Sequence, residues 1–468
     1  MRVSRRALLL SAGAAALEAT LPFRRSFAAS EIKEYRLTAK AATVNLTGDG
    51  HLDTAVWAYG GTVPGPEVRI RQGDPVRLVV SNKLGEDTTV HWHGIRLPNA
   101  MDGVPGLTQP PIRPGESFTY EFTPPDAGTF WYHPHADSLQ QLGRGLAGAL
   151  IVEEREPVAI DRNLTWFIED WRLDNDGKIA TGFGNRMEAG MSGRIGNTVT
   201  VNGRVPETVS VRAGERLRLR LVNAALARIV GLRFEGHQPV VVAYDGQPCD
   251  PHPPDGGRLV LGPAMRADLV IDMRGAPGRR YAVIDDFYQD LAYKLLDFVY
   301  DPGEPIREHL DASVKLPANP LPEPDLAAAE RHQIALQGGM MGGMSMMGGG
   351  GMMGRGGATW AMNGMSMTGD GQPDMSPLLT LKRGQTCVLA LRNETAWWYP
   401  MHLHGHSFRV VSRNGKPNPV REWRDTVLVP PRETAEIAFV ADNPGDWMFH
   451  CHVTDHQETG MMATIRIS

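Results

Sequence analysis

The pattern that most restricts this fold is a short unit written three times. It reads Val68-Arg69-Ile70-Arg71-Gln72-Gly73 through to Asn82, Val209-Ser210-Val211-Arg212-Ala213-Gly214 through to Asn223, and Leu379-Thr380-Leu381-Lys382-Arg383-Gly384 through to Asn393. In each copy an asparagine follows the glycine by nine residues. Val76-Arg77-Leu78-Val79-Val80, Leu217-Arg218-Leu219-Arg220-Leu221 and Cys387-Val388-Leu389-Ala390-Leu391 show or approach the period-2 alternation of strands that leave a glycine turn. The unit recurs after 141 and then 170 residues, which are domain-sized intervals. Short alternating strands with many Gly and Pro turns predict an all-β chain of three consecutive Greek-key β-sandwich domains.

Composition sets the expected boundaries. The first sandwich is expected over 31–154, closing at Glu153-Glu154-Arg155-Glu156-Pro157, and the second over 158–300. A Pro-rich linker fills 301–337, a stretch made almost wholly of Gly and Met fills 338–357, and the third sandwich takes 358–468. The middle unit has only His237 and His252, far apart, and reads as a spacer with two ordinary polar histidines.

The N-terminus carries Ser4-Arg5-Arg6, an apolar run to about Ala19, and a small-x-small cleavage pattern at Ser26-Phe27-Ala28. This is the form of a twin-arginine export signal, so residues 1–28 are expected to be removed and the mature chain to lie in the periplasm. The run is shorter than the roughly 20 apolar residues of a spanning helix, and no other stretch is apolar enough, so no membrane span is expected in the mature chain. Removal takes five arginines and one glutamate, moving the formal charge from −5 by four to −9, a surface that repels nucleic acid. Three cysteines, Cys249, Cys387 and Cys451, are too few for a disulfide framework, although one bridge between Cys249 and Cys387 is compatible with the sequence. Nothing in the sequence sets the oligomeric state.

Four clusters carry the chemistry: His91-Trp92-His93, His133-Pro134-His135, His402-Leu403-His404, and His450-Cys451-His452 followed by His456 and Met461. One His-x-His pair is commonplace, but two in each outer domain are not. Residues i and i+2 of a strand share a face, so each pair presents two imidazoles to one point, and eight could hold three metal ions. Alternation sends Cys451 to the opposite face from His450 and His452. A thiolate, a histidine five residues on and a methionine five beyond that are the donor types of a blue-copper site.

On these four motifs the chain resembles, over essentially its whole mature length, the three-domain multicopper oxidases, the family of laccases and bacterial cuprous oxidases. The resemblance implies cupredoxin-like sandwiches and four copper ions. It places a type 2 copper on His91 and His402, one type 3 copper on His93, His133 and His452, and the other on His135, His404 and His450. The type 1 copper takes Cys451, His456 and axial Met461. It also makes Asp102 a candidate catalytic proton donor, with Glu458 a second, since reducing dioxygen consumes four protons; an Asp before Gly is equally a turn former. One position departs from the family pattern His-Pro-x-His-x-His: Tyr399 stands where the type 1 histidine belongs. A neutral phenol is a poor copper ligand, so this implies a weakened type 1 site.

Met340, Met341, Met344, Met346, Met347, Met352 and Met353 lie in or beside the Gly-rich stretch, with Met362, Met365 and Met367 beyond it. Thioethers favour Cu(I), which reads as a shuttle or docking surface, because Gly and Ser alone would make a linker. Met362 falls at a strand start of the repeat and reads as structural. The expected activity is one-electron oxidation of Cu(I) or small phenols coupled to four-electron reduction of dioxygen to water, with a role in copper tolerance. The alternative is a copper-sequestering periplasmic protein with an impaired type 1 site. Replacing Arg5 and Arg6 together by lysine should leave the precursor inside the cell, as followed by fractionation; undiminished periplasmic yield would disprove the signal.

Overall fold

Each copy of the repeat builds the same three-strand arrangement in a computed structural model, which describes residues 32–308, 314–340, 360–367 and 376–468. The strands that follow the glycines are Val76–Asn82, Arg216–Asn223 and Thr386–Asn393. Each is flanked on one side by a parallel partner, respectively Lys33–Val44, Arg162–Trp171 and Glu330–Gly338. On the other side lies an antiparallel one, Ser117–Phe122, Arg266–Asp272 or Thr434–Val440. The glycines hold φ of +82°, +79° and +81°, a left-handed turn that favours residues without a Cβ.

The asparagine of the repeat has one task in all three copies. Asn82 Nδ2 donates to the carbonyls of Glu86 and Ile112, both at 2.8 Å, and Asn223 Nδ2 to those of Arg228 and Leu261, both at 2.9 Å. Asn393 Nδ2 donates to Trp397 O at 2.6 Å and Val429 O at 3.2 Å. Each Oδ1 accepts the amide two residues on, from Leu84, Ala225 and Thr395. A buried amide side chain thus satisfies main-chain groups that the loop after the strand leaves unpaired.

A second sheet completes each sandwich. In the first domain it runs Gly65–Arg71, Gly148–Glu153, Gly128–His133, His91–His93. In the third it runs Pro377–Leu381, Met462–Ile467, Gly445–Cys451, Tyr399–Leu403, Thr426–Val429. The middle domain pairs Thr208–Val211, Tyr293–Tyr300, Arg280–Asp285, Val230–Phe234 and Leu259–Leu261 in the same way. All of these strands belong to one compact unit, Lys33–Ser468.

Two expectations change. Glu330–Gly338 pairs along Thr386–Asn393, so residues expected in the linker form a strand of the third sandwich, upstream of position 358. Its alternating burial, with Ile334 and Leu336 inside, is the sheet signal that the proline-rich flank masks. Cys249 and Cys387 are both buried and free, in different domains. Residues 1–28 and most of 338–357 lie outside the described residues. Among the described residues no helix is long and apolar enough to cross a membrane.

Candidate metal centre

Five of the eight histidines lie on equivalent strands of the two outer domains, and His135, His404 and His452 lie just past the ends of those strands. His91 sits opposite His133 where His91–His93 pairs with Gly128–His133, and His402 opposite His450 where Tyr399–Leu403 pairs with Gly445–Cys451. The two pairs face one another across the domain boundary. His91 stacks on His404 with ring centroids 3.8 Å apart, and His93 on His402 at 3.7 Å. His135, in the loop after its strand, comes to 5.0 Å from His404 and 5.1 Å from His450. His452 lies 5.1 Å from both His93 and His133. All eight rings are buried.

His135, His404 and His450 have donor nitrogens within 4.8 Å of one another, and so do His91, His402 and His404, and His91, His93 and His133. Nε2 of His404 faces Nε2 of His450 at 3.1 Å, and that of His452 faces Nε2 of His133 at 3.4 Å. These groups hold His135, His404 and His450 together and put His91 beside His402, while the rings of His93, His133 and His452 lie within 5.7 Å of one another. Whether the residues suit a metal is tested by their hydrogen bonds. Nε2 of His91, His135 and His402 and Nδ1 of His93 and His452 are buried with no hydrogen-bond partner. An unpaired buried polar atom costs about 1–3 kcal/mol, so ring nitrogens left without a partner among eight clustered imidazoles fit a bound cation.

The opposite nitrogens are tied down. Nδ1 donates to main-chain carbonyls in His91 (Asp102, 2.8 Å), His402 (Asp425, 2.9 Å), His133 (Pro134, 3.0 Å) and His450 (Cys451, 2.9 Å). His404 Nδ1 donates to the Asp102 carboxylate at 2.9 Å. Each such bond fixes a tautomer and leaves Nε2 as the ligand atom. His93 is reversed: Nε2 faces Asp425 Oδ1 at 3.2 Å, which leaves Nδ1 free. Burial, and then the neighbouring imidazoles, hold His93, His133, His135, His404, His450 and His452 well below the ordinary histidine range, so they stay neutral donors.

On the other face, Cys451 Sγ lies 3.6 Å from His456 Nδ1, and Met461 is tied back beside them by its main chain. Burial pushes the Cys451 thiol up, so a bound cation is what would hold it as thiolate. Tyr399 is fully buried with its ring 5.6 Å from that of His456, beside the Cys451 and His456 pair. Its hydroxyl shares a 2.8 Å hydrogen bond with Thr395 Oγ1, and burial raises its pKa well above the usual phenol value. The phenol is neutral and otherwise engaged, so it adds no ready metal donor to the Cys451 thiol and the His456 imidazole.

Asp102 contacts both outer domains, its carbonyl on His91 and its carboxylate on His404. Glu458 Oε1 accepts the Ser138 amide at 3.0 Å, three residues past His135, and burial with the nearby Asp137 charge raises its pKa to about 7. Sequence reasoning missed Asp425, Asp245 and Arg266, which surround His93 and His402. Burial alone would raise the pKa of Asp425, but the Arg266 charge and hydrogen bonds outweigh it and hold the group below the usual carboxylate range. Arg266 and Asp245 belong to the middle domain, so that domain is more than the expected spacer. Isolated acids and arginines have no telltale spacing; only the packing reveals them. His237 and His252 bond to Tyr300 and Tyr244 and stay apart from the cluster.

Family profiles described as multicopper oxidase match residues 40–157, 162–294 and 352–468. The chain belongs to the multicopper oxidase family, copper-dependent oxidoreductases that use dioxygen. It is similar to the multi-copper oxidase of Pseudomonas thermotolerans, at 39% identity and a TM-score of 0.82, covering 94% of this chain and 100% of that one. The Campylobacter jejuni multicopper oxidase, described as a metallo-oxidase, is 27% identical with a TM-score of 0.77, covering 95% and 93%. Multicopper oxidase MmcO of Mycobacterium tuberculosis is 29% identical over 459 residues, 91% of this chain and 85% of that protein.

Histidines kept neutral by folding contribute stability that is fully present above the unfolded pKa of about 6.5 and is lost as the pH falls below it. The copper-free protein should therefore lose melting temperature steeply between about pH 6.5 and 5. A flat profile by calorimetry would contradict a neutral buried cluster. Tyr399→His should raise the occupancy of the type 1 copper and strengthen the thiolate absorption, by metal analysis and visible spectroscopy. If neither changes, another residue already completes the site.

Proposed function

We propose that the protein is a periplasmic oxidase whose favoured reductant is Cu(I), using four coppers in the sets named above and serving copper tolerance. The observation that carries the choice of reductant is the cover over His456. The outer nitrogen of this imidazole, Nε2, hydrogen-bonds the Met191 carbonyl at 2.7 Å, and the ring is fully buried under Trp360, whose centroid is 4.2 Å away. A phenol cannot lie against an edge that is covered by main chain. The cover itself carries thioethers: Met187 and Met191 are exposed, and exposed Met340 donates its amide to the Gly190 carbonyl at 2.8 Å. Soft donors at the rim suit a cuprous ion better than an aromatic ring. The likeness to a protein described as a metallo-oxidase supports the same reading.

Copper, when bound, supplies the one-electron chemistry and the place where dioxygen is reduced. The residues of this chain supply the rest. Cys451 joins the two sites through a single stretch of main chain, with the thiol on one face and His450 and His452 on the other. Asp102 is placed to orient His91 and His404 and to pass protons at its carboxylate. Glu458, raised to about 7, holds a proton that it can give up near neutral pH. Small phenols remain secondary reductants that must deliver electrons across the cover.

Deleting residues 341–357, the Met- and Gly-rich stretch that follows Met340 in the sequence, should lower the rate of Cu(I) oxidation several-fold and leave that of a bulky phenol within about twofold. Oxygen uptake with each reductant is the assay, and equal losses would reduce the segment to a linker.

A further inference from the structure

His93, His402 and Asp425 form a metal-binding constellation of their own, with donor atoms within 4.8 Å of one another. Two imidazoles and a carboxylate are a ligand set that suits iron(II) or zinc. The carboxylate is already taken. Arg266 Nη1 donates to Asp425 Oδ1 at 2.8 Å and Nη2 to Oδ2 at 2.5 Å, a two-point grip on both oxygens. The guanidinium is itself anchored, with Nε on the Thr129 carbonyl of the first domain at 3.2 Å and Nη1 on the Ala264 carbonyl at 3.1 Å. Asp245 completes the frame: its Oδ1 accepts the Arg266 amide at 2.8 Å, and its Oδ2 the amides of Asp425 and Thr426 at 3.3 and 3.2 Å. All three side chains are fully buried. Gly94, next to His93, holds φ +86°, and a Cβ there would strike both Arg266 Nη2 and Asp425 Oδ2. The space beside the ligand is kept open for this ion pair.

We propose that Arg266 is a positioning and metal-selecting residue of the multicopper site, acting from the middle domain. It reserves Asp425 as a hydrogen-bond acceptor for His93 Nε2, so that His93 turns Nδ1 toward the cluster, and it bars the carboxylate from joining His93 and His402 as a third ligand. Without Arg266, Asp425 and the two imidazoles would lose their guanidinium, and Arg424, which also acts on Asp245, is engaged by Glu422. A divalent ion such as zinc would then compete with copper for these donors. The inference rests on the multicopper site and is independent of which reductant feeds it.

The test compares Arg266→Gln and Arg266→Lys with Arg218→Gln. Arg218 is an equally buried arginine of the same domain that grips Asp268 and Glu154. Each protein is loaded with copper in the presence of zinc. Metals per chain, the type 2 copper electron-paramagnetic-resonance spectrum and the melting temperature of the copper-free form are then measured. Arg266→Gln should gain up to one zinc, lose copper and change the type 2 signal. Arg266→Lys, which keeps the charge but not the two-point grip, should exclude zinc yet still shift the signal. Arg218→Gln should lose melting temperature with metals and spectrum unchanged. A folded Arg266→Gln protein with full copper, no zinc and an unaltered signal overturns the proposal. If that variant does not fold, nitrogen NMR of the copper-free wild type decides: His93 protonated at Nε2 is expected, and His93 protonated at Nδ1 overturns it.

Discussion

Imidazole lone pairs pressed together in a dry space repel one another and go unpaired unless a cation stands between them. His404 and His450 bring Nε2 atoms within 3.1 Å, and five further ring nitrogens have no partner at all. By themselves these unpaired atoms would cost several kcal/mol, a large fraction of the net stability of a domain. The fold accepts that arrangement because the rest of each ring is held: Nδ1 atoms bond to carbonyls that the strands fix, and burial keeps the rings neutral. The boundary between the first and third sandwiches therefore behaves as a prepared socket. Its geometry is set by strand pairing and by the short turns that leave those strands.

The middle sandwich holds this socket from outside. It places Arg266 and Asp245 behind His93 and His402, and at the far end its Asn185–Gly193 segment lays the Met191 carbonyl over His456. One metal-free domain thus touches both the inner and the outer margins of the copper chemistry. Removing one member of such a buried ion pair generally costs about 3–5 kcal/mol, which is why these contacts matter although they bind no ion.

Much of this was legible in the chain. The glycine-to-asparagine spacing reported three sandwiches because the same turn and the same amide bonds recur at Asn82, Asn223 and Asn393. The His-x-His pairs reported the cluster because strand alternation leaves little choice of face. Tyr399 was legible as a departure, and the structure supplies its reason for staying neutral, a burial with Thr395 as partner. Three things were not legible. Glu330–Gly338 alternates weakly and is flanked by prolines, so its parallel partner is needed to show it as a strand. The grip of Arg266 on Asp425 joins residues 159 apart, and no local pattern encodes such a pair. The Met191 cap uses a carbonyl, which every residue has. Side-chain identity carries chemistry into sequence, whereas main-chain groups and lone ion pairs acquire meaning only by position.

The contact between His404 and Asp102 spans 302 residues, and that between His452 and His133 spans 319. The cluster is therefore a late event in the life of the chain. His91, His93, His133 and His135 emerge early in synthesis with their mates unmade, and His450, Cys451 and His452 arrive only with the closing strands. A chain that ends before the closing strands lacks His450 and His452, while His91, His93 and His133 of the first domain already lie close enough together to take a metal on their own. Timing of copper delivery, after the last strand has paired, then becomes as much a condition of correct loading as affinity.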